Sequence, residues 1–379
     1  MNINIVPHGE QWKNAVEAFN TRMYKGGSDY GFYVHPVPLW GEKSRDDQPV
    51  WREYFLAVED GESVRGGFVL KPQTWWIHGA IHRVADWQGP YSEGAVSRRH
   101  GALALRIIRE MVRREPLLYS WGHGGEEQPI FQLASSLGWL LHPTPFLLRV
   151  VDGAAFARKN GHLRTSRAKR FVLDMFAFSG LAKVGGQALS LAMRVGSLTR
   201  FHSHSDEVSS FGPWTDTVWE RAKGDYAAAA VRDARTMNIL APPKQSHGEW
   251  SLPTRLRVRD RDGRDLGWAL VCLRDMNEHR RFGNLRVGSI VDAFAPAAWA
   301  GEIVHAAFSW LAQAGAEVVI ANQSDPRWIR GFTRNAFVPI AAGRYFCAAP
   351  AFAKALEPWA DTRKRLFLTN MDGHGPMGL

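Results

Sequence analysis

The sequence predicts a mixed α/β (α+β) protein made of two copies of one sheet-and-helix unit. Three observations predict it. The order β-β-β-α-β-α-β can be read over residues 53–150, and the same order returns in the second half of the chain. The chain has 379 residues, 45% hydrophobic and 22% charged, a soluble globular composition too long for one comfortable core. The expected division is a first domain over 1–152, a basic helical linker over 153–200 and a second domain over 201–379.

Before the repeat unit, Ile3 to Val6 reads as a strand and Gln11 to Arg22 as a helix. The aromatic, Gly- and Pro-rich stretch Tyr24 to Pro49 is long enough to be a substrate lid or acceptor-site wall. Glu53 to Val58 is then a strand, Asp60-Gly61-Glu62 a turn, and Gly66 to Lys71 the return strand of a hairpin. A third strand, Ala80 to Asp86, leads into a loop over Trp87 to Val96 that carries Gly89-Pro90. The helix Ser97 to Arg114 follows, with Leu103, Ile107, Ile108 and Met111 at helical spacing. A buried strand at Leu117 to Trp121, the loop His123-Gly124-Gly125, a short helix through Gln132-Leu133 and the strand Phe146 to Val150 complete the unit.

That order resembles the GNAT superfamily of acyltransferases. In that family the helix after the third core strand opens on an R/Q-x-x-G-x-G/A turn that holds the pyrophosphate of coenzyme A. The matching run here is Arg98-Arg99-His100-Gly101-Ala102-Leu103, in which the Arg and first Gly fit and Leu103 does not. Leu137-Gly138-Trp139 resembles the family's Gly-aromatic step into the next strand, although Ala134 stands where a helix tyrosine is frequent. The resemblance implies two tandem GNAT-like domains, each a mixed, mostly antiparallel sheet flanked by helices. It also implies acetyl-CoA or another acyl-CoA as cosubstrate.

The repeat itself is read from residues. Val58-x-Asp60 with Gly67, Val69 and Leu70 lines up with Val258-x-Asp260, Gly267, Ala269 and Leu270, and later elements follow at similar spacing. The helix start of the second copy, Ala298-Trp299-Ala300-Gly301-Glu302-Ile303, lacks the Arg. It places Glu302 where a pyrophosphate would approach, so repulsion is expected to leave this copy without cofactor.

Transfer to an amine needs a held thioester, a base, an oxyanion donor and a proton for the thiolate. The cofactor-binding candidates are Arg98, Arg99, His100, Gly101 and Ala102 at the turn, where free helix amides and a Gly that admits close approach suit a pyrophosphate. The resemblance adds Trp87 and Gln88, whose backbone would supply the oxyanion amide between splayed strands. The catalytic candidates are Asp86 as base, with Glu93 as a second carboxylate, and Tyr119 and His123 as acids. The terminal run after Thr369 has no hydrophobic periodicity, so fraying is preferred to the alternative in which Asp372 touches substrate.

Two cysteines, Cys272 and Cys347, support neither a disulfide framework nor a zinc site, so a reducing, cytoplasmic setting without a metal is expected. No leader-like segment or long apolar run is read in the sequence. The net charge of +10 favours anionic partners, and sixteen Trp suit a saccharide or lipid-linked amine acceptor as well as plain core filling. Basic residues beside an apolar run over 157–195 read as a helical pair packed between domains with its charges solvated, with a surface resting on the anionic inner face of a membrane as the sharper alternative. DNA is not an expected partner, because the basic residues lack interleaved aromatics. The function expected is N-acyl transfer, in particular N-acetyl transfer, to an amine of a sugar or cell-envelope polysaccharide precursor. The rivals are Fem-type transfer from aminoacyl-tRNA, the one case in which tRNA is a partner, and a binding protein with two degenerate copies.

Overall fold

The computed structural model describes residues 2–37, 43, 45–122, 125–159, 201–242, 253–279 and 281–373, without the side chains of 341–343. From residue 160 onward the basic linker run, and with it most of the stretch weighed as a membrane-facing surface, lies outside the described residues. The chain divides into two units that are not contiguous in sequence: unit 1 is Met1–Pro143 with Tyr345–Trp359, and unit 2 is Thr144–Arg344 with Ala360–Leu379.

In unit 1, β1 (Ile3–Pro7), β2 (Glu53–Glu59), β3 (Ser63–Ile77), β4 (Ala80–Ser92) and β5 (Leu118–Trp121) lie side by side in chain order. The first three pairings are antiparallel and the β4–β5 pairing is parallel. Helices α1 (Lys13–Lys25), α2 (Leu103–Arg114) and α3 (Pro129–Ser136) complete the unit. The apolar stripe predicted for α2 is its buried face. Leu103, Ile107, Ile108 and Met111 pack on Phe55, Phe68, Leu70, Ala85 and Leu118, while Val16, Phe19 and Met23 of α1 cover Leu56, Val58 and Val69 on the other face.

The β3–β4 hairpin is longer than the sequence suggested. Its tip is His78-Gly79, both with positive φ, as a two-residue hairpin turn requires. The expected loop after Trp87 is instead strand to Ser92. The strand continues because Gly66 and Gly67 on β3 let Ser92 and Tyr91 pair closely: a Cβ on Gly66 would lie 2.5 Å from the Tyr91 carbonyl oxygen. A register shift between Gly67 and Val69 absorbs Gly89-Pro90 as a bulge, where a residue without an N–H is tolerated.

Glu93, read as a possible base, is buried in a structural network. Arg22 and Arg65 both donate to it, at 3.0 and 3.1 Å, and Arg65 also donates to Glu59 at 2.8 Å. Burial alone would raise the Glu93 pKa, but the two guanidinium groups outweigh it and hold the carboxyl below its usual range. The stabilisation is therefore present above the unfolded value of about 4.3 and lost as pH falls through the folded one. Glu93→Gln is expected to be less stable than wild type at pH 7, with a gap that narrows below about pH 4. A gap in denaturant midpoint that stays constant with pH would contradict this.

Unit 2 repeats the order. Its strands β7 (His204–Val208), β9 (Thr254–Arg259), β10 (Asp265–Asp275), β11 (Arg286–Phe294) and β12 (Val318–Asn322) answer β1 to β5. Likewise α5 (Pro213–Ala222), α7 (Ala300–Gln313) and α8 (Pro326–Arg334) answer α1, α2 and α3. Between them lie α4 (Gly153–Lys159), β8 (Ala228–Ala230) and α6 (Ala234–Leu240). The duplication read in the sequence is thus a duplication of structure.

The domain boundaries differ from the expected ones through an exchange of last strands. Strand β6 (Leu140–Val150) begins in unit 1, but Phe146–Val150 pair with β12 of unit 2. Strand β13 (Val338–Ala348) begins in unit 2, and its end pairs with β5 of unit 1 through Phe346–Trp121, Cys347–Ser120 and Ala348–Tyr119. Among the described residues no helix is long and apolar enough to cross a membrane.

Candidate functional site

The turn before α2 forms as a 3-10 segment, Arg98–His100, followed by Gly101 and Ala102. Arg98, Arg99, Gly101 and Ala102 face solvent, whereas His100 is buried with Nε2 3.8 Å from the Glu59 carboxylate. Arg99 reaches back to the same carboxylate at 3.7 Å. Four of the five residues expected to meet a pyrophosphate are therefore exposed together, and His100 is turned into the protein.

The strands flanking that turn part as the resemblance implied. Pairing between β4 and β5 is confined to Ala85–Leu118 and Asp86–Tyr119, although β4 runs six residues further. As neighbours in a parallel rung, Asp86 and Tyr119 project from the same face. Both are buried. Asp86 accepts from the Gln88 amide at 2.7 Å and lies 4.0 Å from the Lys71 ammonium, itself fully buried. Tyr119 packs edge-on to Trp75 and against Phe346 and Phe352. Trp87 points to the opposite, α2 side and packs edge-on to Trp139 at 5.6 Å. His123 lies outside the described residues.

Unit 2 holds a feature that the sequence reading discounted. A cleft of about 410 Å³ opens at the start of α7, lined by Ala297, Ala298, Ala300 and Gly301 on one side and by Arg327, Arg330 and Arg334 of α8 on the other. The two helices approach closely because Gly331 has no side chain: a Cβ there would lie 3.0 Å from both the Gly301 nitrogen and the Ala300 Cβ. Asn335 fixes the approach, its amide donating to the carbonyls of Gly301 and Gly331 at 2.9 Å each.

Three guanidinium groups thus face the positive end of a 14-residue helix. Asp225 is the one carboxylate in the lining, and it accepts from the Ala297 N–H at 2.8 Å. Arg327 is held by Asp325 and by the Asp225 carbonyl. Arg330 and Arg334 are exposed and have no acidic partner among the described residues.

Glu302, the residue expected to repel a pyrophosphate, is held by backbone donors. Its carboxylate accepts from the backbone N–H groups of His202 and Ser203 at 3.1 Å each. The positive charge at this helix start comes from the next helix, α8, instead of from the turn. The spacing Arg327, Arg330, Arg334, at i, i+3 and i+7, places three cations on one helix face, and this pattern was the available signal.

The splay recurs in unit 2. Pairing between β11 and β12 ends at Ile290–Ala321 while β11 continues to Phe294. Just beyond that point, Asp292 shares the buried Arg232 with Asp372, at 3.2 and 2.7 Å, and Thr369 donates to Asp292 at 2.7 Å. The frayed terminus expected after Thr369 is therefore ordered through Asp372. Its segment is anchored by a buried charge and a reciprocal cap between Thr369 and Asp372, with no need of hydrophobic periodicity. Among the described residues no group of three metal-binding side chains is assembled.

No protein-family model matches the chain, and no curated protein matches it in sequence. In structure it is similar to a GCN5-related N-acetyltransferase from Anabaena variabilis, with a TM-score of 0.54 and 10% identity over 94% of this chain and 75% of that one. It is also similar to Saccharomyces cerevisiae N-myristoyltransferase with bound myristoyl-CoA, with a TM-score of 0.52 and 9% identity over 91% and 78% of the two chains. At that identity the likeness speaks for the fold, and it agrees with the repeated order, the paired splays and the turn before each long helix. The chain has the GNAT acyltransferase fold, in two units.

Proposed function

We propose that this protein is an N-acyltransferase that takes its acyl group from acyl-CoA and binds the cofactor's pyrophosphate in the unit 2 cleft. The observation that carries the proposal is the pairing of two uncommitted arginines, Arg330 and Arg334, with the amide-bearing start of α7 across a cleft of suitable size. The structural neighbour with bound myristoyl-CoA supports an acyl-CoA as donor. In the reaction, the amine nitrogen attacks the thioester carbonyl, a C–N bond forms and the C–S bond breaks. The amine's proton passes to a base and the thiolate takes up a proton.

Were the cofactor held at the turn of unit 1 instead, Asp86 and Tyr119, adjacent in one rung, would be the candidates for those proton transfers. In unit 2, Asp292 is already saturated by Arg232 and Thr369, which argues against its acting as base. The acceptor we propose is an amine on a sugar or envelope precursor, supported by the aromatic richness of the chain.

The test is release of free thiol from acetyl-CoA and from a long-chain acyl-CoA, with an amino-sugar panel as acceptors. Thiol release that requires both donor and acceptor is the expected result. Transfer from aminoacyl-tRNA, with no release from any acyl-CoA, would replace this reading by the Fem-type one.

A further inference from the structure

Five of the eight tyrosines gather in unit 1. Tyr24 ends α1, Tyr30 and Tyr33 follow in the loop, Tyr54 is on β2 and Tyr91 on β4. Tyr33 stands edge-on to Tyr54 at 5.4 Å, and Phe32 edge-on to Tyr33 and Tyr91 at 5.7 Å each. Tyr24, Tyr30 and Tyr33 are also near enough to act on the Tyr91 hydroxyl, and the half-buried Arg52 sits against that of Tyr54. Of these, Tyr24, Tyr30 and Tyr33 are 56%, 67% and 41% exposed. Large aromatic side chains are normally sunk in a core, as Trp75, Trp87, Trp268 and Trp328 are here. Three exposed within ten residues need another explanation.

The loop that presents them is fixed. The Asn20 side chain donates to the Phe32 carbonyl and accepts from its N–H, at 2.9 and 2.7 Å. The His8 ring bonds the Tyr33 carbonyl at 2.8 Å, and the Ser28 hydroxyl accepts from the Tyr30 N–H at 3.1 Å. Gly31 lets the Tyr24 hydroxyl approach the loop: a Cβ there would lie 2.6 Å from it. A ligand meeting these rings would therefore not bear the cost of ordering the loop.

We propose that Tyr24, Tyr30 and Tyr33, backed by Tyr54 and Tyr91, form a binding site for a neutral saccharide of equatorially substituted, β-linked pyranose rings. Such rings offer flat C–H faces to aromatic plates and hydroxyls to the phenolic groups at their edges, the pairing of apolar body and polar tip that tyrosine provides. The surface suits a neutral ligand. Burial and its tyrosine neighbours push the Tyr91 hydroxyl up to about 12, so it stays un-ionised at neutral pH. Exposed aliphatic side chains, which a lipid surface would call for, are absent from this stretch of described residues. The inference does not depend on acyl transfer.

The probes are the β-1,4-linked hexamers of glucose and of N-acetylglucosamine, titrated calorimetrically into the full chain. Saturable binding of either, with a Kd of roughly 0.1–1 mM, is expected. Tyr30→Ala/Tyr33→Ala should weaken it about tenfold or more, and Tyr30→Phe/Tyr33→Phe, which keeps the rings and removes the hydroxyls, by less. Thermal melts and coenzyme A binding by the same variants should match wild type, which separates a lost sugar site from a misfolded chain or a failed cofactor reading. No saturation by either hexamer up to about 10 mM would overturn the proposal. So would equal binding by the alanine variant, or capture of a proline-rich peptide by these rings in place of sugar.

Discussion

Replacing Arg330 and Arg334 together by alanine is expected to remove most of the stabilisation that coenzyme A gives the folded protein. Contacts to charged groups are worth about 1.5–3 kcal/mol each. Losing two of them, with some compensation by the helix amides and Arg327, should weaken binding by about 100-fold, or 2.7 kcal/mol. At a ligand concentration of 100 times the wild-type Kd, the stabilisation should fall from about 2.7 to about 0.4 kcal/mol. This is readable as a lost thermal shift. Arg98→Ala/Arg99→Ala should retain the full shift, because Arg99 already leans on Glu59 and the cleft lies in unit 2. The reverse pattern would place the cofactor at the turn of unit 1. A shift lost in neither pair would mean that neither helix start holds the pyrophosphate.

Arg232→Met is expected to be the most damaging single substitution for stability, costing about 3–5 kcal/mol by leaving two buried carboxylates without their cation. Arg232, Asp292 and Asp372 are each 1% exposed or less. Burial of Arg232 would by itself lower its pKa, but the two carboxylates raise it overall, so its charge is secure. Asp372 is shifted the other way from an ordinary ion-paired acid. Burial raises its pKa, the Asp292 charge adds to the rise, and Arg232 only partly offsets both.

The sign of the pH dependence follows. A folded pKa above the unfolded value of about 3.9 means that this group's contribution is full below about 3.9 and declines as pH rises through the folded value. Without Arg232 the decline should be steeper. Urea midpoints at about pH 4.5 and about pH 7.5 check this, the deficit of the variant being larger at the higher pH. A deficit below about 1 kcal/mol, or one independent of pH, would show that the network is not held by charge.

What depends on short-range periodicity was legible in the residues alone. The stripe Leu103, Ile107, Ile108 and Met111 specified α2 and its buried face, because residues three and four apart share one side of a helix whatever it packs on. The match of Gly67 with Gly267 announced the duplication, and the Arg98–Ala102 turn announced one helix start. Tertiary structure decided what depends on partners distant in the chain. The exchange of β6 and β13 could not be read, since each strand looks the same whichever sheet receives it. The continuation of β4 through Gly89-Pro90 rests on close pairing with Gly66 and Gly67 of the neighbouring strand. The order of the last residues described rests on Arg232, 140 positions before Asp372.

The unit 2 cleft shows the same division most sharply. Glu302 set the second helix start aside when only its neighbours in sequence were considered; in the fold its carboxylate accepts from the backbone amides of residues 202 and 203, and arginines of the following helix line the cleft. Charge acts through space over a few ångströms, and sequence separation does not measure that distance.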